Sequence, residues 1–453
     1  MFDRSRLIKF NSISSFLFLS YFVCWVSIST TTIDIVRLLD IYKFNSVLGD
    51  TSFQKIKPDI IEYINFLRQI IVFIIFPVLL YLNIIDCRKN ISNTDLGLFA
   101  LLLYFLFQIP GLIFTENSIL NIGFVISALN IILIFNLSNS IFDKKTFKFF
   151  IYLSLFFLIL ITFLNKATYI RFIETNRADG LYLYFDTSTS FLDKTSPRST
   201  GSSRTLLFIY IILLFLFNKF FEKNKKIKIA LYLILATLIL LFQSRATIIL
   251  LLVFLFTIFF IENKFSIKNF IEFSIKYFLL PVLCLYFIVY FKNFESIKKK
   301  IDEKNISKIE AINENFNRPI DPSTFSSGRI NDWKKIINKT SNSLFFGYGS
   351  QADRFLINQS SSSGFVYAFS SSGLIGFIFY LFFLIICLKK ILNILIIEQK
   401  LYSKKTKLCS IIVLICILRS FLESSFAVFS VDFIILTTFY NYIKIYNLNR
   451  DNA

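Results

Sequence analysis

Six charged residues stand where a mostly apolar chain has little else that could do chemistry. Arg198 sits in Ser-Pro-Arg-Ser-Thr-Gly immediately before an apolar span, Arg245 in Gln-Ser-Arg-Ala at a hairpin between two spans, and Arg329 after Ser-Ser-Gly in a long polar loop. Arg419, Glu423 and Asp432 lie in Arg-Ser-Phe-Leu-Glu-Ser-Ser-Phe-Ala-Val-Phe-Ser-Val-Asp, where the last two apolar spans meet. Burying a charge in a bilayer costs a few kcal/mol unless it pairs or lines a wet cavity, so charges at span ends point to a polar site. Arginine never loses its charge and its planar fork donates two parallel hydrogen bonds, so several converging arginines suit a diphosphate. Arg419 and Glu423 are four apart on one helical face, which fits a structural ion pair as well as a catalytic role. A span-end arginine is also the usual form of a snorkelling anchor, and Arg204 fits that reading best.

These residues must be held by membrane-spanning helices. With 55% apolar residues, 18% aromatics and a mean hydropathy of +0.65, the chain falls in the polytopic membrane class. A β-barrel would need ten-residue segments of alternating polarity, whereas Leu206 to Phe217 and Thr247 to Ile261 are almost continuously apolar. The fold expected is therefore all-α, with about twelve transmembrane helices. Their cores run Phe10 to Thr30, Gln69 to Ile85, Leu96 to Phe114, Ile119 to Phe142, Phe149 to Leu164, Thr205 to Phe221, Ile229 to Phe242, Ala246 to Ile261 and Ser274 to Phe291. After a large loop come Gly364 to Leu388, Leu408 to Phe426 and Val428 to Ile445.

Lysine and arginine placement supports this topology. With Arg4, Arg6 and Lys9 cytoplasmic, the inside turns hold Arg88 and Lys89, Lys144, Lys145 and Lys148, the Lys219 to Lys228 group, Lys264 and Lys268, and the cluster from Lys389 to Lys407. The outside turn Thr115 to Asn117 has none, so both termini are expected inside. Three long loops then lie outside, Thr31 to Arg68, Asn165 to Arg204 and Lys292 to Ser363. All six charged candidates fall on that side, as for one outward-facing polar site. Residues 1–453 read as a single transmembrane domain, with 292–363 a large outer loop between spans 9 and 10.

The formal charge of +20 is spread over these turns and leaves no nucleic-acid footprint. All six cysteines lie in or beside apolar spans, which argues against a disulfide framework. There is no histidine, which removes the side chain most used for acid–base work near neutrality and argues against a zinc site. The first apolar run lacks a small-residue cleavage site and reads as an uncleaved span.

The stretch from Phe325 to Gly376 is polar and punctuated by glycine. Ser296 to Asn313 predicts an imperfect amphipathic helix, and Ile330, Trp333, Ile336 and Ile337 predict a second, lying on the membrane surface with Trp333 as its anchor. Gly347-Tyr348-Gly349 has no following lysine and follows no strand, which excludes a nucleotide loop. Gly373 and Gly376 read as small residues for close helix packing.

In order and spacing, these motifs resemble the O-antigen ligase and O-antigen polymerase superfamily of envelope glycosyltransferases. The resemblance rests on Pro197-Arg198-Ser199-Thr200-Gly201, Ser244-Arg245, Ser327-Gly328-Arg329 with Trp333, Phe346-Gly347-Tyr348-Gly349 and Gly373-Leu374-Ile375-Gly376. It implies a multi-pass protein of the bacterial inner membrane with a periplasmic active site. A polyprenyl-diphosphate-linked glycan is the donor, and an acceptor sugar hydroxyl attacks its anomeric carbon. Arg198, Arg245 and Arg329 match the arginines expected to hold the diphosphate and offset its growing charge. The resemblance requires no cofactor, metal or nucleotide sugar.

One departure matters. Ligases of this family carry a histidine about a dozen residues before the Gly-Leu-Ile-Gly equivalent, whereas here Gln359-Ser360-Ser361-Ser362-Ser363-Gly364 stands. A serine hydroxyl is no base at neutral pH without help. This favours the polymerase branch, with Glu423 or Asp432 orienting or deprotonating the acceptor hydroxyl beside Arg419. The expected activity is joining lipid-linked oligosaccharide repeat units with release of polyprenyl diphosphate, in company with a chain-length regulator and a flippase. Ligation onto another acceptor such as lipid A core, and transport or flipping of an anionic solute, stand as alternatives. A transporter would carry a pseudo-repeat with charge near mid-membrane, and the sequence offers none.

Overall fold

The computed structural model describes residues 4–32, 59–89, 95–114, 118–141, 147–164, 199–241, 244–262, 267–284, 286, 329–357, 361–398 and 401–451. Among them every regular element is helical. The chain divides into two compact units, the first made of Met1–Leu164 and Trp333–Ala453, the second of Asn165–Asp332.

The first unit opens with α1 (Arg4–Thr32), α2 (Asp59–Lys89) and α3 (Leu96–Leu106). A 3-10 turn at Pro110–Phe114 extends α3, and α4 (Ser118–Ile141) and α5 (Lys148–Leu164) follow. In the second unit lie α6 (Ser199–Leu216), the short α7 (Asn218–Lys223), α8 (Lys225–Leu241), α9 (Arg245–Glu262) and α10 (Ile267–Ser274). The boundary between units falls within α11 (Arg329–Thr340); α12 (Ala352–Ile357), α13 (Gly364–Leu392), α14 (Lys404–Leu422) and α15 (Val431–Asp451) complete the first unit.

Among the described residues, two segments are long and apolar enough to cross a membrane, Leu96–Ile113 and Gly364–Ile397. Six shorter apolar helical stretches accompany them, Ile13–Ile28, Ile70–Asp86, Asn121–Leu137, Lys148–Thr162, Ser203–Leu216 and Ala246–Phe260. Each falls on a span expected from the sequence.

Polar side chains tie the apolar helices of the first unit together. Tyr21 of α1 bonds Ser154 of α5 and Thr438 of α15, both at 2.7 Å. On α4, Asn130 donates to the Val72 carbonyl of α2 at 3.0 Å, one turn from Pro77, which has no N–H to give its own helix. Asn83 of α2 donates to Leu133 at 3.1 Å and accepts from Asn136 at 2.9 Å. Between apolar helices such bonds fix register that hydrophobicity alone leaves loose.

α13 packs along α3 more extensively than any other described pair. The two run antiparallel, since Lys390 near the end of α13 reaches Asp95, which caps the start of α3. Lys444 and Tyr440 of α15 join them there. At the opposite end, the Gly111 turn beyond α3 lies against Gly347 to Gly349, and Arg419 at the end of α14 meets Asp432 at the start of α15. Asp95, Lys390 and Lys444 thus lie at one end of this unit, and Gly347–Gly349, Arg419 and Asp432 at the other.

Within the second unit, α6, α8 and α9 are joined by short connections, so α6 and α9 run in the same direction and begin at the same end. Tyr210 of α6 contacts both Tyr232 of α8 and Phe254 of α9, with ring centroids 5.5 and 5.9 Å apart. Beyond α10 the helix widens into a π-turn at Ile275–Leu279, where the Tyr232 hydroxyl donates to the Tyr277 carbonyl at 2.7 Å.

Candidate functional site

At the Arg419 end of the first unit, the feature that shapes everything else is a break in α13. Gly373 has φ 62 and ψ −165, which stops the ladder between Ser372 and Leu374. Only glycine takes that conformation without strain, and a Cβ there would collide with the backbone of Phe345. A break inside a buried helix leaves carbonyls and N–H groups unpaired, and here the Leu344–Gly349 segment supplies partners for both. Tyr348 and Gly349 donate their N–H groups to the carbonyls of Ser370 and Ser371, each at 2.8 Å. Leu374 N–H donates to the Leu344 carbonyl at 2.8 Å and Ile375 N–H to Phe345 at 3.4 Å. Gly347 (φ 65) and Gly349 (φ 76) turn the segment so that it can lie this close. Gly373 is therefore a break rather than the packing residue expected from the sequence, whereas Gly376 does lie close against Phe107.

The serines before the break are buried and occupied. Ser370 donates to Tyr367 O at 3.0 Å, and Ser371 and Ser372 to Ala368 O at 3.4 and 2.7 Å. Tyr104 of α3 donates to the Ala427 carbonyl at 2.7 Å and lies 3.5 Å from Ser371 Oγ. That bond ties the α13 region to the turn between α14 and α15.

This turn holds three of the six candidates. Arg419 Nη1 pairs with Asp432 Oδ2 across the turn, and both side chains are buried. Ser425 donates to the same oxygen at 2.8 Å and adopts φ 42, a strained value for a serine. Glu423 lies past the helix end at φ −148 and ψ 160, its N–H donating to the Arg419 carbonyl at 2.9 Å, and it is half-buried. The extended backbone takes Glu423 off the helical face it would share with Arg419 in a continuous helix. Arg419 forms a buried ion pair with Asp432, thirteen residues further on.

The serine run lies against this turn. Gly364, the first residue of α13, abuts the Ser420 carbonyl and the Tyr380 hydroxyl, and Phe365 contacts Phe421 with ring centroids 4.6 Å apart. A Cβ at Gly364 would stand 3.0 Å from Ser420 O. Tyr380 stacks on Phe426 at 5.4 Å and packs on Tyr104 at 5.2 Å, giving the turn an aromatic floor.

The remaining candidates, all arginines, belong to the second unit. Arg198 lies outside the described residues. Arg245 is the first residue of α9 in the second unit, preceded by Ser244, whose hydroxyl lies 3.0 Å from Thr247 Oγ1. Arg329 is the first residue of α11 and half-buried, with Asp332 in the same first turn. The helix expected around Trp333 is present, while that expected from Ser296 to Asn313 lies outside the described residues. Trp333 is half-buried and its indole N–H donates to the Ser361 carbonyl at 2.6 Å, which fastens it to the serine run.

Two residues carry more of this end than their sequence context announces. Ser425 is one of many serines, and only its place seven residues before Asp432 hints at a shared turn. Asp353 of α12 is buried, and its carboxylate binds backbone N–H groups that no sequence pattern reports. Among the described residues, no group of histidine, cysteine and carboxylate side chains could hold a metal ion.

Comparison with known proteins yields one finding. Residues 230–381 match the family model described as O-antigen ligase, a stretch running from α8 to the middle of α13. It includes Arg245, Arg329, the Gly347–Gly349 turn, the serine run and the break at Gly373, and it ends before Arg419, Glu423 and Asp432. No curated protein and no solved structure gives a significant match.

Proposed function

We propose, from the premise that residues 230–381 belong to the O-antigen ligase/polymerase superfamily, that this chain is a polysaccharide polymerase of the bacterial inner membrane. Members of that family are glycosyltransferase-like enzymes acting on lipid-linked glycans. Residues 1–453 form one integral membrane protein of about twelve spans, with both termini cytoplasmic and residues 292–363 on the periplasmic face.

In the reaction, an acceptor sugar hydroxyl attacks the anomeric carbon of a second repeat unit carried on polyprenyl diphosphate. The new glycosidic bond forms as the bond from that carbon to the diphosphate oxygen breaks, and polyprenyl diphosphate departs with the bonding pair. Arg198, Arg245 and Arg329 bind the diphosphate and stabilise its increasing charge; arginine suits this because it neither deprotonates nor needs a metal to bridge it. Glu423 takes the acceptor proton, being half-buried and carried past the helix end on extended backbone. Arg419 and Asp432 are positioning residues, since each buries its charge against the other and together with Ser425 they hold the turn that carries Glu423.

The observation that carries polymerisation over ligation is the absence of histidine from a chain whose residues 230–381 match this family. The serine run occupies the segment where the ligase histidine is expected, and its described hydroxyls have no general base of that kind to serve. That the matched family is the O-antigen ligase family favours transfer onto a different acceptor as the second reading.

The test is the polysaccharide ladder of a deletion strain complemented with Arg245→Ala, Arg329→Ala or Glu423→Gln at matched protein levels. Loss of long chains in each variant is expected, with about 100-fold lower turnover on removal of one diphosphate-stabilising donor. Full-length ladders from both arginine variants would sink the catalytic reading.

A further inference from the structure

Asp353 takes no part in the chemistry above, yet its side chain is placed with unusual completeness. It is 3% exposed on α12, Oδ2 accepts the Ser361 N–H at 2.7 Å and Oδ1 accepts the Arg354 N–H at 2.9 Å. Ser361 is then held from two further directions. Its carbonyl accepts the Trp333 indole N–H at 2.6 Å, and its hydroxyl donates to the Ser363 carbonyl at 3.0 Å. The next residue, Ser362, is driven to φ 49, and Gly364 seats α13 against Ser420, the neighbour of Arg419. A buried carboxylate, a strained serine and the α14–α15 turn thus form one continuous chain of contacts.

We propose that Asp353 is a positioning residue whose ionised carboxylate fixes the Ser361–Ser363 turn against the Arg419 end of the first unit, where it forms the acceptor-side wall of the site. The last clause rests on the polymerase reading; the fixing of the turn does not. Both carboxylate oxygens accept an N–H here, an arrangement that the ionised group, with acceptors alone, satisfies best. A protonated acid, or the amide of asparagine, presents a donor on one side and leaves one backbone N–H facing it.

The environment makes this ionisation conditional. Burial pushes the Asp353 carboxyl above its ordinary value of 3.8, and the Ser361 and Arg354 N–H groups and the Arg354 guanidinium draw it part of the way back. The groups facing it are Arg354 on its own helix, Tyr367 on α13 and Tyr104 on α3. Phenols are uncharged in acid and arginine stays charged throughout, so Asp353 alone among them titrates there. A carboxyl raised in the folded state costs stability as pH rises through its titration, the reverse of a stabilising ion pair. The charge is thus kept at a cost to the fold, as expected of a group retained for geometry.

Amide hydrogen exchange on the full chain in detergent at pH 7, followed in a peptide spanning the Ser361–Ser363 turn, tests this directly. Asp353→Asn should exchange there about tenfold faster than the wild type, the equivalent of one lost net hydrogen bond, and Asp353→Glu should recover part of the protection. In a polymerisation assay on lipid-linked repeat units at pH 7, Asp353→Asn should raise the acceptor KM several-fold while leaving the KM for the lipid-linked donor near the wild-type value. Equal exchange in wild type and Asp353→Asn overturns the proposal, as does an Asp353→Asn acceptor KM equal to the wild type's. Faster exchange alongside a wild type that never polymerises would overturn the functional reading and uphold the positioning of the turn.

Discussion

At one end of the first unit Asp95 gathers Lys390, Lys444 and Tyr440; at the other Asp432 gathers Arg419 and Ser425. Both clusters bury a carboxylate and both join α15 to a neighbouring helix. Their backbones differ. Asp95 sits at φ −77 as an ordinary helix cap, accepting from Gly97 N at 2.7 Å and Leu98 N at 3.2 Å. Lys390 closes the cluster from above, 2.7 Å from Tyr440 Oη and 4.4 Å from its ring centroid. Nothing there is strained. Around the Arg419 end, by contrast, lie Ser425 at φ 42, Ser362 at φ 49, Gln351 at φ 65 and the glycines 347, 349 and 373, every positive-φ residue among those described. Strained backbone persists only where surrounding structure over-determines it, and it gathers at working sites. The Asp95 cluster is an unstrained clamp, whereas the Arg419 end gathers the strained backbone, the pattern the proposed function calls for.

The contrast can be broken first by removing one charge from each cluster. Arg419→Ala leaves Asp432 buried without its partner and should cost about 3–5 kcal/mol of stability, with loss of polymer per folded molecule. Asp95→Ala should cost more than the ~1 kcal/mol of a lost cap, because it also removes the carboxylate that Lys390 and Lys444 face, and should leave activity per folded molecule unchanged. Thermal unfolding of the purified chain alongside the ladder separates the two, and equal activity loss per folded molecule would erase the distinction.

Gly373→Ala sharpens it at the backbone. The left-handed conformation and the collision with Phe345 together should cost about 1–3 kcal/mol, read as a lower unfolding temperature and faster amide exchange in Leu344–Gly349. Gly123→Ala, whose Cβ would meet only Phe73 at 3.8 Å, is the control expected to change neither.

The smallest effect is the pH dependence that the clamp contributes. Burial pushes the Asp95 carboxyl up, but the Lys390 and Lys444 ammonium groups and the hydrogen bonds from Lys390 and Tyr440 outweigh it, leaving it below 3.8. A carboxyl lowered on folding contributes stability above its unfolded value that disappears as pH falls through the folded one. The clamp's share of the stability should therefore hold from neutrality to about pH 4 and fall below it, read as a smaller acid loss of unfolding temperature in Asp95→Asn than in the wild type.

Much of this was legible in the sequence because spans, basic turns and the Trp333 helix depend on local composition and periodicity. The break in α13 was not, since Gly373 and Gly376 in an apolar run look alike until the Leu344–Gly349 segment arrives to satisfy the freed carbonyls of Ser370 and Ser371. Arg419 stood out as a charge where two spans meet, but its pairing with Asp432 runs across a turn and no helical spacing reports it. Asp353 escaped notice because its partners are backbone N–H groups, which every residue except proline offers.

The central claim, that the chain joins repeat units rather than attaching finished polymer, is tested most directly by the glycan ladder of a strain lacking it. The account predicts a single repeat unit on the acceptor and no longer rungs, restored by the wild-type chain and not by Arg329→Ala. Long polymer accumulating on its lipid carrier, with none transferred, would contradict it and make the chain a ligase.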